Sequence, residues 1–414
     1  MTATPAKPDP ATADPYRWVI LFTATLTQAG TAFVFLGVGA LAGFIQESFN
    51  LTGAQTGLLV AAVGSVPLVA LIPIGRALDH GRERWIIAGG ALVLAGGAAL
   101  ASLSESYPLI LAMLLLGGAG YSSSQPGGSK VVAGWFPDYQ RGLGMGIRQT
   151  GLPLGGALAA AVLPVVATAS GWESALLVGA VVAGVGGVLF AVTYRPMPFS
   201  TRTAPIGFGA EVRGLIRVRA IRLAMMAGLG MVAIQFVLIS YLMLYLRDVH
   251  GIPLARGSWM LFATQGAGVL GRVALAIWSD RLHDRLRPVA VSAAAAAIGT
   301  VLLATIQPGA PYALLLALSA VMGFFAFGWY GPWVVYVAEA APGRAIGTTL
   351  ALAMTANQVA IVLAPPLFGL IYDLTSSYTV PLIATAVMLA GVAGRTWHGS
   401  RRLPPGAFGG PRYP

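Results

Sequence analysis

Three bases, Lys130, Arg148 and Arg272, stand inside long apolar stretches of the chain. A charge at the centre of a bilayer costs at least about 2.5–3.5 kcal/mol, so each marks a partner or a task. The same stretches hold no acid well inside. Glu47, Glu105, Glu173 and Asp373 stand at one set of stretch ends, and Glu339 stands at the other. An unpaired cation in a low-dielectric cleft concentrates anions and holds them. The chemistry expected is therefore capture of a small anion, because a planar guanidinium matches a carboxylate through two parallel bonds. At 1.5 Å of rise per residue, Arg148 lies about 10 Å inside Arg141 and Arg272 about 12 Å inside Asp280, so both reach similar depth. Lys130 is shallower, near the stretch end at Trp135, where a lysine stem snorkels to the interface; it reads as structural.

Composition dictates the elements that must hold these groups. Of 414 residues, 57% are hydrophobic and 9% charged, and the mean hydropathy is +0.77. A soluble domain is about a quarter charged. Folding in water is excluded, and the chain reads as an all-α membrane protein whose solvent is the lipid bilayer. A spanning helix needs about 20 apolar residues, and twelve such spans are expected: 18–44, 54–78, 85–104, 107–136, 142–169 and 172–194, then 221–247, 257–280, 287–307, 311–339, 345–372 and 377–397.

The connector 195–220 carries Arg195, Arg202, Arg213, Arg217 and Arg219 against the single acid Glu211. It divides a bundle at 18–194 from a second at 221–397, with tails at 1–17 and 398–414. The first tail is polar and Pro-rich, unlike a cleaved signal peptide. The chain has no cysteine, which removes disulfides, thiolate metal sites and thiol nucleophiles.

Orientation follows from the basic residues, which are retained on the cytoplasmic side. With the amino terminus inside, three of the 25 Lys and Arg fall within spans, Arg247 and Arg256 fall outside, and the other 20 lie on tails and inner connections. The net charge of +11 is thus a signal of topology and of attraction to anionic lipid. No nucleic-acid partner is needed, and both termini are expected in the cytoplasm.

The two halves share a pattern. Shifted by about 203 positions, as parallel transporter repeats are, Pro108, Gly120, Gly128, Val131, Val132, Arg141 and Gly144 fall on Pro311, Gly323, Gly331, Val334, Val335, Arg344 and Gly347. Such repeats place a site between the halves near the membrane midplane.

Between the second and third spans stands Gly75-Arg76-Ala77-Leu78-Asp79-His80-Gly81-Arg82-Glu83-Arg84. Between the eighth and ninth stands Ala276-Ile277-Trp278-Ser279-Asp280-Arg281, followed by Arg285 and Arg287. An acid among arginines at a helix turn can accept charge-assisted bonds and form a latch. With Trp135-Phe136-Pro137 and Arg141-Gly142, these motifs resemble the major facilitator superfamily of secondary transporters, over residues 18–397.

The resemblance implies two six-helix bundles related by a pseudo-two-fold axis, alternating access, and a central cavity lined mainly by the first, fourth, seventh and tenth spans. Asp79, Arg82, Arg141, Asp280, Arg281 and Arg344 are then the expected gating residues. The first loop lacks one residue of the usual pattern between Asp79 and Gly81. The stretch Gly146 to Gly156, with Gly151-Leu152-Pro153, is similar to the fifth-span motif of the superfamily's exchangers. Gly271-Arg272 resembles the eighth span of its monocarboxylate and oxalate branches, in which the matching Arg grips the substrate carboxylate.

Besides Arg148 and Arg272, the residues suited to line the cavity are Gln28 and Thr31, Tyr121, Ser124 and Gln125, Gln235 and Tyr241. Trp329, Tyr330, Trp333, Asn357 and Gln358 complete the set. No acid occupies the first or seventh span, and His80, His250, His283 and His398 all sit in connections or tails. Coupling through a buried carboxylate or imidazole is unsupported, which leaves anion exchange, a facilitated path, or a proton travelling with the substrate.

The spans offer no cluster of groups for catalysis, so an enzyme is excluded and no cofactor or metal is expected. The leading expectation is a monomeric transporter of a small organic anion. The alternative is a multidrug or natural-product exporter of the same superfamily, and a transport-dead receptor of the same fold is the third reading.

Overall fold

In lipid a backbone must satisfy its own hydrogen bonds, and among the described residues every regular element is a helix. The computed structural model describes residues 14–78, 82–196, 208–282, 284–341 and 346–402. Asp79 and Arg344 lie outside them, as does the side chain of Arg141. The helices of the first half are α1 (Arg17–Phe49), α2 (Gly53–Leu78), α3 (Glu83–Ser102), α4 (Tyr107–Tyr121), α5 (Ser124–Trp135), α6 (Asp138–Gln149) and α7 (Gly151–Thr193). A short α8 (Phe208–Arg217) lies in the connector, which the sequence alone did not reveal as helical. The second half holds α9 (Arg219–His250), α10 (Leu254–Leu282), α11 (Leu286–Thr305), α12 (Tyr312–Gly328), α13 (Tyr330–Glu339), α14 (Ile346–Thr375) and α15 (Thr379–Arg402).

Among the described residues, ten helical stretches are long and apolar enough to cross a membrane. One of them, Gly144–Thr193, has 50 residues, about 75 Å of helix and far more than one crossing needs. It breaks at Ser170 and Gly171, where Gly171 takes φ +84°, and so provides two passes. The pair α4 and α5 supplies another, because Ser122 and Ser123 keep right-handed helical angles between them. Helix thus covers most of each stretch read from the sequence as a span.

Three spans are interrupted, each three or four residues before a proline. Proline has no N–H for the carbonyl four residues earlier. Pro126, Pro153 and Pro332 deprive Ser122, Gln149 and Gly328, and the helices break at Ser122–Ser123, Thr150 and Trp329. These breaks bring backbone carbonyls into the interior of the bundle.

Contacts between the halves concentrate on the face opposite the chain termini. There Gly57 of α2 lies so close to α14 that a Cβ would stand 2.5 Å from the Pro365 carbonyl carbon. The Tyr241 hydroxyl donates to Gly53 O at 2.6 Å and Pro365 O at 2.9 Å, and Gln358 Nε2 donates to Gly64 O at 2.8 Å. Arg247 reaches across to Glu47 at 2.7 Å and Gln46 at 3.1 Å.

On the terminus face, the ion pairs of the described residues stay within one half. Arg285 joins Asp280, and its Nε reaches Glu339 at 3.2 Å. Of the expected gating set, Asp280 is therefore held inside its own half, and Arg281 and Arg82 are exposed. The molecule is closed on one face.

Candidate functional site

Arg148 lies in the last turn of α6, and its side chain turns into α5 rather than toward lipid. It is 0% exposed. Nη1 donates to Ser129 Oγ at 2.9 Å, and Nη2 donates to the carbonyls of Ser124 at 2.7 Å and Gln125 at 3.2 Å. Gly128 makes this fit possible, since a Cβ there would lie 2.5 Å from Arg148 Nε. Among the described residues the Nε itself has no partner. Dipoles of an irregular helix thus hold the cation without neutralising it.

Arg272, on α10 of the other half, is seated in the same way. Its Nε donates to Phe327 O at 3.2 Å, just before the Trp329 break, and Nη1 crosses the seam to Gln149 O at 3.2 Å. Its guanidinium lies 5.2 Å from the centre of the Tyr330 ring, a cation–π arrangement. Arg272 and Tyr330 are both half-buried. No ion pair of the described residues involves Arg148 or Arg272.

The two arginines act on a common neighbourhood. Arg272 bonds the carbonyl of Gln149, the residue that follows Arg148, and Tyr121 ends the helix α4 whose continuation α5 seats Arg148. Tyr121 is fixed by stacking on Phe35, centroids 4.2 Å apart and planes at 14°. Tyr330 is fixed in a cluster with Trp329 at 5.6 Å and Trp333 at 5.4 Å. Two guanidiniums and two phenols from both halves, without a carboxylate among them, make a positive and amphipathic centre. Such a centre can bind a carboxylate or a similar oxyanion and pack an apolar or hydroxylated body beside it.

The other sequence-derived residues spread around this centre. Gln28 is buried with neither amide atom partnered among the described residues, and its Cβ packs against Gly151, one turn beyond Arg148. Thr31 bonds Ser124 at 2.9 Å, tying α1 to the break that seats Arg148. Gln125 contributes its carbonyl to Arg148. Gln235 Nε2 is spent on Ala326 O at 2.7 Å. Asn357 Oδ1 is buried without a partner, close against Gly228 and next to Trp333. Tyr241 lies elsewhere, in the closed seam, where its hydroxyl joins the halves through Gly53 O and also reaches Pro365 O of its own half.

Lys130 needs correction. It pairs with Glu83 at 3.2 Å and donates to Leu78 O at 2.5 Å, while Tyr194 donates to the other Glu83 oxygen at 3.2 Å. The expectation that all three bases lack a counter-ion therefore fails for Lys130. Glu83 is polar and close to a charged loop in sequence, but packing buries it.

Sequence reasoning also missed Ser129, Gln149, Gln265 and the role of Asp373. Only Gln149 carried a legible signal, the proline four residues after it. Gln265 donates across the seam to Gly156 O at 2.9 Å.

A model of the Major Facilitator Superfamily matches residues 20–365 and 258–408. An uncharacterized MFS-type transporter of Mycobacterium tuberculosis is 31% identical over 91% of this chain and 82% of its own. A probable sulfoacetate transporter of Cupriavidus necator is 23% identical over 86% and 87% respectively. Among solved structures, a bacterial homolog of the human lysosomal transporter Spinster, described as inward-facing and unoccupied, superposes with a TM-score of 0.78. It shares 15% identity and covers 94% of this chain and 98% of its own.

Proposed function

Since the chain belongs to the Major Facilitator Superfamily, and so is a multi-pass membrane transporter rather than an enzyme, we propose that it moves a small organic anion, a carboxylate foremost, by alternating access. The observation that carries this reading is the pair Arg148 and Arg272, held from the two halves on carbonyls and a hydroxyl with no carboxylate partner. A buried cation without a counter-ion is costly, and an incoming anion relieves that cost. Arg272 with Tyr330 takes the carboxylate, since both are half-buried. Arg148, wholly enclosed, supplies positive potential from the opposite half. The relative named for sulfoacetate supports a small acid as cargo.

We place the protein in the cytoplasmic membrane with both termini inside, on the distribution of Lys and Arg. The closed seam then lies on the outer face, and the central site opens inward. Either an exchanged anion or a proton carried with the substrate completes the cycle.

Counterflow in reconstituted vesicles tests this reading. Vesicles loaded with one small carboxylate should accumulate a labelled one, and Arg272→Gln should abolish the signal. Undiminished efflux of a cationic dye by that variant, with no carboxylate counterflow in the wild type, would instead establish the exporter reading that the fifth-span motif favours.

A further inference from the structure

The fifth-span motif Gly151-Leu152-Pro153 contributes more than a bend. In a helix the carbonyl of Gln149 would receive the N–H of residue 153, and proline has none. The acceptor that Pro153 leaves open is the one that Arg272 Nη1 fills from the other half, at 3.2 Å. The contact is part of a register. Two turns further along the same antiparallel seam, Gln265 Nε2 donates to Gly156 O at 2.9 Å, so α10 presents two donors to α6 and α7 at matching intervals. Unlike Gln265, which is buried, Arg272 is half-buried and carries the charge assigned above to the substrate.

From this we infer that the Gln149 carbonyl is a built-in stand-in for the substrate. It accepts from Arg272 in this structure, and a carboxylate must displace it. Pro153 is the positioning residue that keeps the stand-in available. A carboxylate accepting two parallel bonds from a guanidinium outcompetes one neutral carbonyl, so the exchange runs forward when substrate arrives. The exchange also has a mechanical consequence, because the bond given up joins the two halves. Substrate binding therefore severs a link between them at the level of the site, and leaving restores it. This inference deepens the anion reading and rests on it.

The test is equilibrium binding by calorimetry to purified full-length protein, with sulfoacetate, oxalate, D-glucarate and benzoate as probes. Pro153→Ala returns an N–H to the Gln149 carbonyl and weakens its hold on Arg272. The dissociation constant of the best-binding probe should fall about three- to tenfold, the scale of one competing charge-assisted bond. Pro153→Gly restores the same N–H without favouring a straight helix, and it should tighten binding as well. A proline that served only to bend the span would, on removal, weaken binding or leave it unchanged. Unaltered or weaker binding in both variants, alongside loss of binding in Arg272→Gln, overturns the inference and leaves the anion reading standing. Wild-type affinity in Arg272→Gln, or no binding of any probe to the wild type, overturns both.

Discussion

Asp373, at the end of α14, caps the helix that begins at Gly53 in the opposite half. Its carboxylate accepts the N–H of Gly53 at 2.7 Å and of Ala54 at 2.8 Å. The first N–H groups of a helix have no partner within it and carry the positive end of its dipole. A cap of this kind ordinarily comes from the residue just before the helix. Here the residue just before the helix, Thr52, accepts the N–H of Gln55 at 3.2 Å, and the first two donors are left to the other bundle, so opening the seam exposes them again.

Removing that cap should favour the state open on this face. In the cysteine-free chain, Ile361→Cys places a thiol deep in the seam, beside Gly64. Its labelling by an impermeant maleimide from the capped face should quicken about tenfold on adding Asp373→Ala, since loss of charge-assisted bonds on the order of 1.4 kcal/mol shifts a population that far. An unchanged labelling rate would remove Asp373 from the gate.

Gly57 is tested by adding bulk. There is no room for a Cβ against Pro365 and Pro366, so Gly57→Leu must hold α2 and α14 apart. The variant should reach the membrane in normal amount, label rapidly at Ile361→Cys, and lose counterflow. Normal counterflow would show that the seam need not close this tightly.

The Lys130–Glu83 pair is expected to be architectural. Glu83→Gln leaves the lysine charge inside with only part of its compensation, which should cost about 1–3 kcal/mol of stability and lower the melting temperature. Lys130→Met combined with Glu83→Leu should cost less than the single change. Anion affinity should be within about twofold of wild type in each, and a large loss of affinity would move Lys130 into the site.

The seat of Arg148 depends on the shape of its head group. Three acceptors around it suit a planar fork, and a lysine ammonium cannot reach Ser129 and the Ser124 and Gln125 carbonyls together. Arg148→Lys should therefore weaken anion binding about tenfold, by calorimetry, despite the retained charge. Equal affinity would mean that Arg148 contributes charge alone.

Much of this arrangement was legible in one dimension. Apolar runs gave the spans, because a bilayer leaves no alternative to helix, and an arginine in such a run stands out by its cost. Pro153 stood in the fifth-span motif, and its missing N–H acts at a fixed distance of four residues, but the break near Pro332 appeared only in the fold. The partners of the charges were not legible. Lys130 meets Glu83 because α3 and α5 approach each other, and Asp373 meets Gly53 only because the bundles do. Tyr241 matched the chemistry of a cavity residue, yet its height on α9 puts the hydroxyl in the seam. Nothing short of packing distinguishes those two fates.

The central claim is that a guanidinium of the second half holds the cargo's negative charge, and equilibrium affinity measures it most directly. Titrating the best-binding small carboxylate into wild type and Arg272→Gln should show a loss of about a hundredfold or more, the scale for removing one member of a buried charge pair, with the unliganded melting temperature preserved. Affinities within about threefold of each other, for two equally stable proteins, would contradict the account.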